Sequence, residues 1–242
     1  MYINRDKCTG CEICLIYCPV NAIYRDEKNI IINQAICCEC GACIRNSTFN
    51  CPANAICQGE LSYSQQIARN FSDPTVCHNN TGVPGRGTEE VKTNDVTGIV
   101  RQGEVGISIE LGRPCMGAKL GLIEEFYHAL NAMGVCYEKN NPLYSLINSL
   151  SEKNHNHDYK NQQLISAIIQ IKIPLNRLGP VLKMITDMAE DIDTVFSLSL
   201  ITRLEPGFSI PLEIDQELSA LNLMYRPNAK INIGIGKPLI ND

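Results

Sequence analysis

The chain lacks any long run of apolar residues. Its longest apolar stretch, Leu164 to Leu175, is interrupted by Gln170, Lys172 and Pro174. A helix that crosses a bilayer needs roughly 20 predominantly apolar residues, so we expect no membrane span. The first residues, Met1 to Asp6, form no apolar signal region either. We therefore expect a cytoplasmic protein.

The chain also lacks an excess of positive charge. It carries 21 Lys and Arg residues against 26 Asp and Glu residues, a formal net charge of −5, and Lys and Arg form no long run. Nucleic-acid binding usually requires a basic face, so we expect no nucleic acid as a main partner. Because 44% of the residues are hydrophobic and 19% are charged, the composition predicts a globular chain with a real core.

Common catalytic motifs are missing as well. The chain has neither a Walker A loop nor a G-x-G-x-x-G fingerprint. No Ser–His–Asp arrangement and no pair of catalytic carboxylates stands out. The sequence therefore points to no enzyme class through a catalytic motif.

Cysteine, in contrast, is abundant, with 13 residues. A secreted protein would use so many cysteines for disulfides, whereas an intracellular protein uses them mainly for metal. Eight of them form two copies of one pattern, and both copies end in Cys-Pro and then in Asn-Ala-Ile. The first copy consists of Cys8, Cys11, Cys14 and Cys18. The second copy consists of Cys37, Cys40, Cys43 and Cys51.

These spacings predict two cubane iron–sulfur clusters. Three closely spaced thiolates supply three corners of a cube, and in the two-cluster pattern the Cys-Pro cysteine of the other repeat supplies the fourth. A structural zinc site needs four ligands and rarely carries such Cys-Pro ends. We assign one cluster to Cys8, Cys11, Cys14 and Cys51. The other cluster is assigned to Cys37, Cys40, Cys43 and Cys18.

Residues 1–58 resemble bacterial-type ferredoxins with two [4Fe–4S] clusters. The resemblance implies two βαββ-like halves related by a pseudo-twofold axis, and one-electron transfer at low potential. It also suggests an anaerobic host, because exposed clusters are sensitive to oxygen. Seven residues, Ile44 to Asn50, precede the second Cys-Pro where the first repeat has three. This difference leaves the second cluster's exposure and potential open, because both depend on local solvation.

The five other cysteines are less certain. Cys37 keeps the C-x2-C spacing and is preferred as a ligand over its neighbour, Cys38. A lone cysteine is usually a buried small hydrophobe. The spacings of the other four fit no third-cluster loop, and their roles stay open. They are Cys57, Cys77, Cys115 and Cys136.

A glycine-rich segment, Gly82 to Gly98, follows a predicted short helix that Asp73-Pro74 ends. Its backbone N–H groups, with Arg86 or Lys92, could hold an anion or a substrate. Arg113 follows a predicted strand, and we name it as a third candidate contact because anions bind readily where a helix begins. The alternatives are an interdomain linker for Gly82 to Gly98 and an ordinary surface arginine at 113.

The remaining chain predicts strand–helix–strand twice, with alternating strands over 105–111 and 165–173 and helices after Leu120 and Gly179. The predicted fold class is α+β. The predicted domains are a two-cluster domain over 1–59, a helix and linker or binding loop over 60–98, and a split βαβ sandwich over 99–242. The last is similar to small ligand-binding or dimerising domains of ACT type.

Three functions are consistent with this organisation. The first is an electron carrier or subunit that passes single electrons to a redox partner protein, with the C-terminal domain docking that partner or forming a homo-oligomer. The second is a one-chain reductase with a site around residues 82–113, a segment that resembles ferredoxin-dependent reductases such as 6-hydroxynicotinate reductase. The third is a redox or metabolite sensor. Fold alone does not choose among them.

Overall fold

The computed structural model describes residues 1–45, 51–85, 99–152, 157–207 and 209–225. Helices and strands are mixed along these ranges, in agreement with the predicted α+β class. The strands are β1 Tyr2–Ile3, β2 Ile23–Asp26, β3 Asn29–Ile32, β4 Ile56–Cys57, β5 Glu104–Leu111, β6 Ala118–Lys119, β7 Cys136–Tyr137, β8 Gln163–Leu164, β9 Ala167–Pro174 and β10 Phe196–Thr202. The α-helices are α1 Ala42–Arg45, α2 Tyr63–Ser72, α3 Leu120–Ala132, α4 Pro142–Glu152, α5 Leu178–Glu190 and α6 Leu212–Ala220.

Two small antiparallel sheets build the N-terminal module. The hairpin β2–β3 pairs Ile23 with Ile32, and β1 pairs with β4 so that Ile3 lies opposite Ile56. The two pairs occupy corresponding positions in the two sequence repeats. The second pair closes the module because it joins residues more than 50 positions apart.

A four-stranded antiparallel sheet builds the C-terminal part, with the strand order β10-β5-β9-β7. The chain runs β5–α3–β7 and then β9–α5–β10, so each helix connects two strands that are not neighbours in the sheet. The long central strands β5 and β9 pair along their whole lengths. This sheet carries the main core of the molecule.

The core follows from the alternation along the central strands. On β5 the residues Val105, Ile107, Ile109 and Leu111 are fully buried, and they contact apolar side chains of α3 and α5. Helix α2 adds Ile67, Ala68 and Phe71 to the same cluster. A helix that precedes the sheet in sequence is therefore part of its core. Ser62 caps this helix in a capping box with Gln65, in which the side chain of each residue accepts a hydrogen bond from the backbone N–H of the other.

Two helices are absent from the sequence interpretation. Helix α4 begins at Pro142, and the Asn141 side chain accepts a hydrogen bond from the Leu143 N–H at 2.9 Å. Helix α6 begins after Pro211. The sequence also predicts a polar loop from Glu152 to Gln163, and the structure has a 3₁₀ turn there, His157–Asn161. The last strand that the alternation predicts, Lys230 to Ile235, lies outside the described residues.

The N-terminal module packs on the C-terminal sheet through a few specific contacts. The Gln162 side chain donates to the carbonyl oxygen of Cys37 at 2.9 Å. The Cys115 N–H donates to the carbonyl oxygen of Pro19. Ile165 packs on the apolar residues around Cys37, and its N–H donates to the Ser72 hydroxyl at 3.1 Å. Nowhere in the described part of the chain is a helix long and apolar enough to cross a bilayer.

Gly112 lies close to two other stretches of backbone, at Gly117–Ala118 and at Ile165. Its φ is +79°, and a Cβ there would lie 2.8 Å from both the Gly117 carbonyl carbon and the Ile165 oxygen. These are backbone atoms, which cannot rotate away. Gly103 has almost the same φ, +77°, but nothing lies within 4 Å of its would-be Cβ.

We expect Gly112→Ala to destabilise the protein by about 3 kcal/mol, since it adds a backbone clash to the left-handed strain. Gly103→Ala serves as the matched control and should cost only about 1 kcal/mol. Anaerobic denaturant unfolding, followed by far-UV circular dichroism, measures both changes. Equal losses in the two variants would show that the close approach at Gly112 contributes nothing.

Candidate metal centres

The first cavity lies at the end of the N-terminal module, beside the 3₁₀ turn Ile13–Tyr17. Three cysteines of the first repeat and one cysteine of the second repeat line it. These are Cys8, Cys11, Cys14 and Cys51. Apolar side chains, including Ile3, Ile30 and Ile56, complete the wall.

The second cavity repeats this arrangement beside α1. Three cysteines of the second repeat and one of the first line it, and Cys38 is also present. The five are Cys18, Cys37, Cys38, Cys40 and Cys43.

Across the described ranges, no group of three or more Cys, His, Asp or Glu side chains could hold a metal ion by converging on one point. The cysteines stand around a space instead. The chemistry of the donor set fits a cubane iron–sulfur cluster, since each cavity has three thiols of one repeat and one of the opposite repeat, with Cys38 as a fifth thiol at the second cavity.

Left-handed residues turn both cysteine loops. In the first loop Gly10 and Glu12 have φ values of +72° and +63°, and in the second Glu39 and Gly41 have +53° and +68°. These residues lie two and four positions after the first cysteine of each loop. The two loops therefore share one backbone path, although glycine occupies a different position in each.

An asparagine anchors the start of each loop. The backbone carbonyl oxygen of Asn4 accepts a hydrogen bond from the Cys8 N–H at 3.0 Å, and that of Asn33 accepts one from the Cys37 N–H at 2.9 Å. Each Asn side chain also accepts from the N–H two residues later, at 3.0 Å. Sequence reasoning missed both residues, although they lie at the same offset of four before the first cysteine. That offset selects Cys37, not Cys38, as the counterpart of Cys8.

The asparagines also connect the two repeats. The Asn4 N–H donates to the carbonyl oxygen of Ala55 at 2.7 Å, and the Asn33 N–H donates to the carbonyl oxygen of Ala22 at 2.8 Å. Ala22 and Ala55 lie four residues after the Cys-Pro cysteines, Cys18 and Cys51. Their own N–H groups point at those sulfurs, at 3.1 Å and 3.4 Å.

Burial disfavours free thiolates in these loops. It raises the pKa of Cys14, raises that of Cys43 to about 11 and raises that of Cys37 to about 12. A hydrogen bond with the Cys38 thiol lowers the pKa of Cys40, and the Arg45 cation acts in the same direction. A metal cluster would reverse this balance for the buried thiols because it binds the thiolate form.

The two cavities differ in exposure. Cys11 is exposed at the first cavity, and the nearby side chains of Ile13 and Ile16 are 43% and 82% exposed. Cys14 is buried at the first cavity, and Cys37 and Cys38 are buried at the second. The C-terminal part of the chain contacts the second loop through Gln162 and Ile165.

The residues proposed as anion or substrate contacts do not form one site among the described residues. Arg86 and Lys92 lie outside those residues. Arg113 forms a two-pronged ion pair with Glu110, at 2.9 Å and 3.1 Å, and Ser197 donates to the same carboxylate at 3.1 Å. Its guanidinium group thus already has an internal carboxylate partner.

Among the residues that the structure describes, the histidines and spare cysteines form no shared site either. The His78 ring bonds to the Gly85 carbonyl oxygen at 2.7 Å and packs on Phe71, while His155 and the His157 side chain lie outside the description. The sequence expectation of burial is wrong for three lone cysteines and only partly met by Cys57, which is half-buried. The three exposed ones are Cys77, Cys115 and Cys136.

The N-terminal part of the chain is similar in sequence to known proteins. A family model described as "4Fe-4S binding domain" matches residues 1–24. The N-terminal part of the chain carries a 4Fe-4S ferredoxin domain. No solved structure matches the chain.

Several curated relatives match this domain, including the following three. A ferredoxin of Rickettsia felis is 35% identical over 57 residues, which are 23% of this chain and 49% of the relative. The pyruvate synthase subunit PorD of Methanocaldococcus jannaschii is 40% identical over 55 residues, 22% of this chain and 59% of the relative. The delta subunit of the NADH-dependent phenylglyoxylate dehydrogenase of Aromatoleum evansii is 37% identical over 41 residues, which are 17% of this chain and 44% of the relative. The chain thus spans about half the length of the curated relatives it matches.

We expect Asn33→Ala to speed the release of iron to a chelator about fivefold. The variant loses the side-chain acceptor that orders the start of the second loop, a contribution of about 1 kcal/mol. Anaerobic chelation followed by absorbance measures the rate. Asn70→Ala, at an exposed position of α2, is the control and should leave the rate unchanged. An unchanged rate in Asn33→Ala would show that the anchor is dispensable.

Proposed function

We propose that this chain is an electron-transfer component that carries two [4Fe–4S] clusters and passes single low-potential electrons to a partner oxidoreductase. The observation that carries the proposal is the lining of the two cavities. Each takes three thiols from one repeat and one Cys-Pro thiol from the other. This exchange is the ligand pattern of two-cluster ferredoxins.

The clusters, when bound, would supply the one-electron chemistry. The first would be held by Cys8, Cys11, Cys14 and Cys51. The second would be held by Cys37, Cys40, Cys43 and Cys18. The offset from Asn33 supports Cys37 over Cys38 as the ligand. Cys38 then acts as a buried S–H donor towards Cys40.

The protein itself would hold the sulfurs and limit access of water. The N–H groups of Ala22 and Ala55 point at the Cys18 and Cys51 sulfurs, and such hydrogen bonds stabilise negative charge on a reduced cluster. Ile3, Ile30 and Ile56 line the first cavity and would limit the access of water to a cluster there. Electrons would enter or leave at the exposed side of this cavity, where Cys11 meets solvent.

We further propose that the C-terminal part is a split βαβ sandwich over residues 99–242, with 60–98 as the connection. The strand order β10-β5-β9-β7 and the two strand–helix–strand units support this reading. Two relatives are named as subunits of pyruvate synthase and of phenylglyoxylate dehydrogenase. By analogy, the sandwich would dock the chain on a redox partner, and a homo-oligomer through this domain is the alternative arrangement.

We do not extend the proposal to a substrate site. The reductase hypothesis depended on Arg86, Lys92 and Arg113, and the Arg113 guanidinium is paired with Glu110. The ligand-sensor hypothesis gains no specific support from the described cavities, since both are lined by cysteines.

Protein prepared anaerobically should contain about eight irons per chain. Cys18→Ala and Cys51→Ala should each disturb a different cluster, because each removes the ligand donated by the opposite repeat. Iron analysis and electron paramagnetic resonance of the reduced protein measure both effects. A count near four, with both variants harmless, would contradict the two-cluster model.

The choice between the adjacent cysteines is tested separately. Cys37→Ala should lose about four irons per chain, whereas Cys38→Ala, the matched control one residue away, should keep about eight. Iron loss in Cys38→Ala with full retention in Cys37→Ala would reverse the assignment of the ligand.

A further inference from the structure

The two cysteine loops share a backbone path but differ in charge at equivalent positions. Four residues after the first cysteine, the first loop has Glu12 and the second has Gly41. Two residues after the third cysteine, the first loop has Ile16 and the second has Arg45. The second loop thus carries a cation where the first carries an exposed apolar side chain.

Arg45 is held in place against the second loop. Its guanidinium donates to the carbonyl oxygen of Cys40 and lies in the space that a Cβ on Gly41 would take. It also pairs with both carboxylate oxygens of Asp73, at 2.9 Å and 3.0 Å. The absence of a side chain at Gly41 therefore lets the guanidinium approach the cysteine loop closely.

Asp73 fixes the guanidinium but does not cancel all the positive charge nearby. Its side chain is 2% exposed, and it accepts from the Thr75 N–H at 2.8 Å and the Thr75 hydroxyl at 2.7 Å. Arg69 approaches the same carboxylate at 3.3 Å. Two guanidinium groups thus share one carboxylate, which leaves a net positive charge beside the second cavity.

Another charged pair adjoins the same cavity. The fully buried Glu39 carboxylate lies 3.6 Å from the Cys37 sulfur and pairs with the Met1 amino group. The Met1 amino group balances the charge of Glu39. Glu39 therefore does not reverse the electrostatic effect of Arg45 on the second cavity.

We propose that Arg45 is a positioning residue that raises the reduction potential of the second cluster. Reduction adds one negative charge to a cluster, and a cation fixed on the loop that would hold the cluster would stabilise the reduced form. The inference rests on the proposed function, because it requires a cluster in the second cavity. The positive charge of Arg45 would make the two clusters unequal, because it would increase the affinity of the second cluster for an electron.

The test is a potentiometric titration of the whole protein, followed by electron paramagnetic resonance. At a fixed potential, Arg45→Gln should lower the ratio of reduced to oxidised second cluster about tenfold, which is about 59 mV for a one-electron couple. Arg45→Lys keeps the charge and should retain most of the wild-type ratio. Lys183→Gln removes an exposed cation that pairs with Asp187 on α5, and should change neither cluster.

The outcomes separate this inference from the proposed function. Fewer than about eight irons in the wild-type protein would refute the two-cluster function itself. Eight irons with unchanged potentials in Arg45→Gln, or equal shifts in Arg45→Gln and Arg45→Lys, would overturn the role of the charge. If Arg45→Gln loses iron, the reduction potential of Asp73→Asn is measured instead. Removing the negative charge of Asp73 should raise the reduction potential of the second cluster. A lower or unchanged potential in Asp73→Asn would overturn the proposal.

Discussion

The N-terminal module depends on one backbone constraint. Each cysteine loop must turn three thiols towards one cavity within seven residues, and it does so with left-handed residues two and four positions after the first cysteine. Glycine adopts that conformation freely, whereas Glu12 and Glu39 adopt it at a cost of about 1 kcal/mol each. The asparagine anchors, the crossed Asn–Ala hydrogen bonds and the strand pairs all hold these strained loops together. The proposed clusters would add the bonds that the small apolar interior cannot supply.

The composition of the same loops explains why bound clusters would stabilise this module. Its apolar residues form two small clusters around the cysteines, whereas the C-terminal core is one large cluster. Burial favours the neutral thiol at Cys14, Cys37 and Cys43, so a charged thiolate is favoured only when a cation neutralises it. The interior is thus poorly suited to free thiolates and well suited to thiolates bound to iron.

Local sequence signals predicted much of this structure. Cysteine spacing predicted the grouping of the thiols that line each cavity, and alternation or helical spacing predicted β5, α3, β9 and α5. Helix α4 was missed although Asn141-Pro142 is a cap followed by a first-turn proline, and the repeated asparagine offset before Cys8 and Cys37 was also readable. In contrast, the Arg45–Asp73 and Gln162–Cys37 contacts join residues 28 and 125 positions apart. No local pattern specifies such pairs, since they arise only when separate elements pack.

These long-range contacts break the symmetry that the two repeats share. Gln162 and Ile165 from the C-terminal part, and Asp73 at the end of α2, all reach the second loop, whereas the first loop keeps Cys11 and Ile16 exposed. Two nearly identical motifs therefore have different neighbours: the first loop keeps Cys11 and Ile16 exposed, whereas the second is contacted by later segments and lies next to a cation. Because hydrogen bonding, charge and solvation set cluster potentials, the C-terminal part would determine how the pair divides its electrons. A small ferredoxin domain in isolation would lack this means of distinguishing its two halves.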